Sequence, residues 1–158
     1  MSELIERSHL ATSVAADDWK DAIRCAGRLL EETGDILPAY VDEMIEGVLT
    51  LGPYIVIAPG LALAHSAPSP SVKRTSASLV TLDWGVSFGC DNDPVRIVIC
   101  LACVDKTSHI AELQKMARFL MSPGAMDGIL ACDNPDELYE FINSCSVEDH
   151  SGEEVHGK

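Results

Sequence analysis

One stretch of the chain limits its fold more than any other. From Ile97 to Val104 the sequence holds eight consecutive apolar residues. A membrane-spanning helix needs about twenty, so this run is too short to be one. It is long enough for a strand covered on both faces, since such strands read as unbroken apolar runs rather than alternating ones. Residues 95–104 are therefore expected to form the central strand of a sheet with helices on either side.

The flanking sequence supplies those helices. Trp19, Ile23, Ala26 and Leu30 recur at spacings of four, three and four, which predicts an amphipathic helix over 17–33 stopped by Gly34. Pro38 suits the first turn of a second helix. There Val41, Met44, Ile45, Val48 and Leu49 form one apolar stripe that ends at Gly52-Pro53. Short extended segments follow at 54–58 and 61–65, then a loop over 66–71. A strand over 76–82 is expected to pair with 85–88 as a hairpin. Beyond the central strand, Ile110, Leu113, Ala117, Leu120 and Met121 predict a helix over 108–121, with Thr107 or Ser108 as its N-cap. Two shorter helices are expected at 125–131 and 135–144. The fold class is α/β: a single mixed β-sheet flanked by helices on both faces. It occupies residues 1–146, and residues 147–158 form a disordered acidic tail.

Charge narrows the partners. The net charge is −14, which argues against nucleic acid and against an anionic membrane surface. Half of it, −7, falls in residues 133–158. No acidic residue occurs in the 36 positions from Gly47 to Leu82, where Lys73 and Arg74 are the only charges. The N-terminus carries no basic-then-apolar leader pattern, and the chain reads as cytoplasmic without membrane insertion. The apolar faces of several helices leave a homodimer open.

Six cysteines show no disulfide framework. Cys100 and Cys103 form a C-x-x-C, but on a strand, where positions three apart face opposite ways. They read as core residues. Of five histidines, His9, His150 and His156 read as solvated surface groups. His65 and His109 differ, because each stands at the end of an apolar strand or just after one. That is the sheet edge where ligands bind in open α/β folds. His65 lies inside the acid-free window, which suits an anion such as a phosphoryl group, or equally a structural histidine in a buried segment. His109 would sit in the first turn of its helix, where backbone amides and the dipole favour anions, or, read alone, it is a histidine that merely tolerates that turn. A zinc site is the weaker reading, since no third ligand has a suitable spacing to either histidine.

At these positions the chain resembles a known family. The segments GPYIVIAPGLALAHSAP, SLVTLDWGVSFG and NDPVRIVICLACVDKTSHIAELQKMARFL are similar to the IIA component of the bacterial phosphoenolpyruvate-dependent sugar phosphotransferase system. The mannitol/fructose type, and within it the ascorbate branch, is the nearest pattern. The likeness runs from about residue 17 to 145, with the two histidine motifs 44 residues apart. It implies that His65 is phosphorylated by the phosphohistidine of the carrier HPr and that His109 stabilises the phosphoryl group. It further implies that the group passes to a cysteine of a IIB protein and drives sugar uptake through a membrane IIC protein, with no cofactor and no metal. Three positions depart from the pattern. Ala64 stands where proline is usual, Ala67 where arginine is frequent, and no arginine lies near Leu49. Charge support for the phosphoryl group is then expected from Lys73, Arg74 or backbone amides. These departures also motivate an alternative, a regulatory protein acting through protein contacts.

Overall fold

The computed structural model describes residues 4–143. The expected tail at 147–158, with His150 and His156, lies outside the described residues. A 3-10 turn at Arg7–His9 leads into β1 (Leu10–Val14), then α1 (Trp19–Glu32) and α2 (Pro38–Leu51). Strands β2 (Val56–Ala58), β3 (Leu61–His65), β4 (Ser76–Val86) and β5 (Val95–Ala102) follow. Helices α3 (Lys106–Leu120), α4 (Ala125–Ala131) and α5 (135–143) complete the described residues. Among the described residues no helix is long and apolar enough to cross a membrane.

The strands form one mixed sheet in the order β1-β4-β5-β3-β2. The apolar run is its middle strand, as its composition requires. β5 runs antiparallel to β4 and parallel to β3, with His65 opposite Leu101. Its side chains alternate between two separate cores. Val98, Cys100 and Ala102 join Ile23, Leu30, Tyr40 and Met44 of α1 and α2. Ile97, Ile99, Leu101 and Cys103 join Met116, Phe119, Ile129 and Leu138 of the C-terminal helices. Cys100 and Cys103 are thus buried on opposite faces, as strand geometry dictates. Burial pushes their thiols up to about 12 and about 11, so both remain protonated and unreactive.

Local sequence explains the helix ends. Asp18 caps α1 by accepting from the Asp21 amide at 2.9 Å, Pro38 opens α2, and Gly34 and Gly52 close the two helices at positive φ. Gly27 brings α1 and α2 together: a Cβ there would stand 2.5 Å from Val41 Cγ2.

The structure departs from the sequence expectations at several points. Residues 85–88 do not form a hairpin with 76–82. One long strand, β4, instead runs from Ser76 to Val86 and pairs antiparallel with β5, through Val86 and Val95. The turn between them is built on Asp93. Its carboxylate accepts from the Phe88, Gly89 and Cys90 amides at 2.8, 2.8 and 2.9 Å and from the Ser87 hydroxyl at 2.9 Å. Burial pushes that carboxyl up, but the four donors outweigh it and hold it at about 2.

β1 escaped the periodicity because it is bulged. Its register against β4 shifts between Ala11 and Val14, and Ser13 takes a φ of 54° while its amide donates to Thr81 Oγ1 at 2.9 Å. His9 is not a surface group. It is 1% exposed, with Nε2 2.8 Å from Thr33 Oγ1 and 3.6 Å from Asp35 Oδ2.

Helix α3 begins at Lys106, and its N-cap is Asp105 rather than Thr107 or Ser108. Its buried residues are Met116, Phe119 and Leu120, while Ile110 and Met121 are exposed. The N-terminal half of α3 therefore overhangs the end of the sheet instead of packing flat on it.

Candidate functional site

The site lies at the carboxyl ends of β3 and β5. Because these strands are parallel, their ends arrive at the same edge, and the loop that leaves β5 leads directly into α3. Strand parity decides where His65 points. Leu61 and Leu63 belong to the core under the C-terminal helices, and Ala62 and Ala64 to the other. His65 shares the parity of the leucines and so faces α3. There it meets His109, with ring centroids 5.7 Å apart and planes inclined by 47°. The two histidines singled out in the sequence are brought together.

A short bond orients the His65 imidazole. Its Nδ1 stands 2.7 Å from the carbonyl oxygen of Leu63, two residues back on the same strand. A carbonyl can only accept, so Nδ1 carries the proton and Nε2 keeps its lone pair. The ring is thereby set in the tautomer that presents Nε2 as a nucleophile.

His109 is held by its helix. Its amide donates to Asp105 O at 3.0 Å. Burial, and secondarily the neighbouring His65, lowers its pKa below the usual histidine value, which favours the neutral ring. Among the described residues, His109 Nδ1 is the only buried side-chain nitrogen or oxygen without a hydrogen-bond partner.

Two expectations for anion support are corrected here. Arg74 does not serve His65: its guanidinium donates to Glu6 and Asp35, both at 3.1 Å. The start of α3 is not a vacant anion site either, because the Asp105 carboxylate already accepts from the Ser108 amide at 2.7 Å. The cap places a negative charge where an anion would otherwise sit.

Two tyrosines were missed by sequence reasoning. Tyr40, fully buried on α2, accepts from the Ser66 amide at 3.0 Å and lies 3.1 Å from both the Ser66 and Leu101 carbonyls. It pins the chain just after His65 to the end of β5. Tyr54, in the turn before β2, packs its ring against His65 and donates to the His65 carbonyl at 3.1 Å. Hydrophobic periodicity cannot reveal a phenol that acts through its hydroxyl, and neither tyrosine is in the α2 stripe of Val41, Met44, Ile45, Val48 and Leu49. Tyr54, whose ring meets His65, and Val104 and Ile110, on either side of the start of α3, are partly exposed apolar residues. Among the described residues, no three His, Cys, Asp or Glu side chains are grouped so as to hold a metal ion.

Comparison with known proteins identifies the family and the fold. Residues 3–145 match the family described as phosphoenolpyruvate-dependent sugar phosphotransferase system, EIIA 2. The ascorbate-specific PTS system EIIA component of Escherichia coli (strain K12) is 34% identical over 142 residues, covering 89% of this chain and 92% of that protein. The crystal structure of a PTS IIA protein, PtxA, from Streptococcus mutans superimposes with a TM-score of 0.82 at 26% identity, covering 90% and 91% of the two chains. The same fold occurs in enzyme IIA-mannitol of Escherichia coli, solved in complex with phosphorylated enzyme IIB-mannitol. There the TM-score is 0.77 at 22% identity, over 89% and 97% of the chains. This chain belongs to the EIIA 2 family of the phosphoenolpyruvate-dependent sugar phosphotransferase system.

Proposed function

We propose that His65 carries the phosphoryl group and that Nε2 is the atom that bears it. The observation that supports this most is the 2.7 Å bond from Nδ1 to the Leu63 carbonyl, which leaves Nε2 as the free lone pair. In the forward step that lone pair attacks the phosphorus of a phosphohistidine on HPr. A new P–N bond forms, the donor's P–N bond breaks, and its electron pair returns to the donor ring. The Nδ1 proton stays on His65, where the Leu63 carbonyl stabilises the positive charge the ring acquires. A thiolate of a IIB cysteine then takes the phosphoryl group and the Nε2 lone pair is restored. No metal is required in this domain, because phosphoryl transfer between nitrogens rests on positioning and on hydrogen bonds to the oxygens.

His109 is the stabiliser in this reading. An unpartnered buried ring nitrogen costs about 1–3 kcal/mol, and a phosphoryl oxygen on the ring 5.7 Å away is an acceptor that would relieve it. The partly exposed apolar residues Tyr54, Val104 and Ile110 fit brief docking of protein partners, whose interfaces are at the small end of the range. The sequence relationship to ascorbate-specific proteins favours ascorbate or a related sugar acid as the final cargo, with a cytoplasmic site of action.

The test is phosphoryl labelling by phosphoenolpyruvate, enzyme I and HPr. The His65→Ala protein should take up no label, and label retained by that variant overturns the assignment. Transfer onward should be fastest to a IIB protein of ascorbate specificity. Equal rates to IIB proteins of unrelated specificity would remove the cargo assignment alone.

A further inference from the structure

We propose that Tyr54 is a positioning residue for His65, setting the imidazole for phosphoryl acceptance; this rests on the reading that His65 is the phosphorylated residue. Two contacts connect the pair. Their rings meet nearly perpendicular, with centroids 5.4 Å apart and planes at 81°, the arrangement in which a positive ring edge meets a negative face. The Tyr54 hydroxyl donates to the backbone carbonyl of His65 itself at 3.1 Å. One side chain thus grips both the ring and the main chain of the nucleophile.

A third residue is fitted to this contact. Gly47 lies within α2, where glycine is unfavourable relative to alanine. A Cβ at that position would stand 3.1 Å from the Tyr54 hydroxyl. The glycine leaves the phenol room to reach the His65 carbonyl.

The physical need for such a grip follows from the imidazole. Its outer torsion has a broad, roughly two-fold profile, so the bond to Leu63 favours one ring orientation without excluding the flipped ring. In the flipped ring Nδ1 leaves the carbonyl, and the proton is free to move to Nε2. A ring protonated at Nε2 has no lone pair there and cannot attack phosphorus. The rate follows the fraction of molecules in the competent state. Tyr54 narrows the torsional well from the side, while the P–N bond is made and broken without any bond to the phenol. Burial raises the pKa of that phenol, so it remains a donor at neutral pH.

The experiment compares wild type with Tyr54→Ala, Tyr54→Leu, Tyr54→Phe and Gly47→Ala. It reads the initial rate of phosphoryl acceptance from phospho-HPr and the imidazole nitrogen shifts of His65 in the unphosphorylated protein. Wild type should show one tautomer, protonated at Nδ1. Tyr54→Ala and Tyr54→Leu should show a mixture and accept phosphoryl groups about tenfold more slowly, the scale of one aromatic contact. Tyr54→Phe should keep the tautomer and stay within about threefold of wild type, since it retains the ring. Gly47→Ala should move in the direction of Tyr54→Leu by a smaller step. A folded Tyr54→Ala or Tyr54→Leu protein with the wild-type rate and a single tautomer overturns the proposal, as does a slow variant whose tautomer is unchanged. The shifts are read without any transfer, so they test Tyr54 separately from the identity of the phosphorylated residue, which His65→Ala decides.

Discussion

The hydroxyl of Thr75 stands 3.3 Å from the hydroxyl of Ser108, one residue before His109. The same Thr75 oxygen accepts from the Val104 amide at 3.0 Å. The segment entering β4 is thereby tied to the loop that leaves β5 and to the first turn of α3. Thr75→Val keeps the shape and removes both bonds. It should lower stability by about 1–2 kcal/mol and slow phosphoryl transfer severalfold through a less fixed His109. Chemical denaturation and labelling rates measure the two effects, and an unchanged transfer rate would separate Thr75 from the site.

Tyr40 should matter chiefly through its hydroxyl. Tyr40→Phe leaves the Ser66 amide and the Leu101 carbonyl without the partner they have now. The expected cost is about 1–3 kcal/mol, seen as a lower denaturation midpoint with an unchanged slope. A change of slope would instead indicate an altered native or denatured state.

Gly27→Ala forces a methyl group onto Val41 Cγ2, 2.5 Å from the new Cβ position. Overpacking of this kind destabilises by about 1–3 kcal/mol. Adding Val41→Ala should recover part of the loss, because the two residues are in contact and do not behave additively. Strict additivity in thermal or urea unfolding would refute the steric account.

Protonation of His109 gives a pH dependence of defined sign. Its folded pKa lies below its ordinary value of 6.5, so the unfolded chain binds the proton more readily. The contribution to stability is complete above about 6.5 and is lost as pH falls through the lowered folded value. Wild type should therefore lose stability on acidification below neutrality, and His109→Gln should lose less over the same window. Denaturation midpoints measured between neutral and mildly acid pH check this, and parallel curves for the two proteins would count against it.

Arg74 offers a contrast. Arg74→Gln removes the links to Glu6 and Asp35 and should lower the thermal midpoint. Phosphoryl acceptance should stay at the wild-type rate, because the guanidinium is committed away from His65. A variant that folds but accepts phosphoryl groups slowly would return Arg74 to the site.

The parts that the sequence disclosed are those with a strong period or a strong punctuation. The unbroken run in β5, the stripe of Val41, Met44, Ile45 and Val48, and the stops at Gly34 and Gly52 each reflect one dominant force. The bulge at Ser13 breaks the two-residue alternation of β1, so no pattern marked it as a strand. Ile110 was expected on a buried face because an apolar residue at helical spacing looks the same whether the helix lies on the sheet or projects beyond it. His9 was expected at the surface because a buried polar side chain leaves no trace in periodicity, and its partner Thr33 is 24 positions away. The two candidate histidines, which the structure brings together, were legible from their places at the ends of apolar segments. Leu63's contribution was not, since a backbone carbonyl has no residue type.

That carbonyl has a consequence for the handling of partners. The acceptor that orients His65 belongs to the same strand, two residues earlier, so Nε2 is aimed by the chain itself. If His65 receives a phosphoryl group from one protein and surrenders it to another, as proposed above, its alignment depends on neither visitor. On the proposed reading the donor meets the Nε2 lone pair, the acceptor meets the phosphoryl group that Nε2 bears, and selectivity is left to the surface they touch.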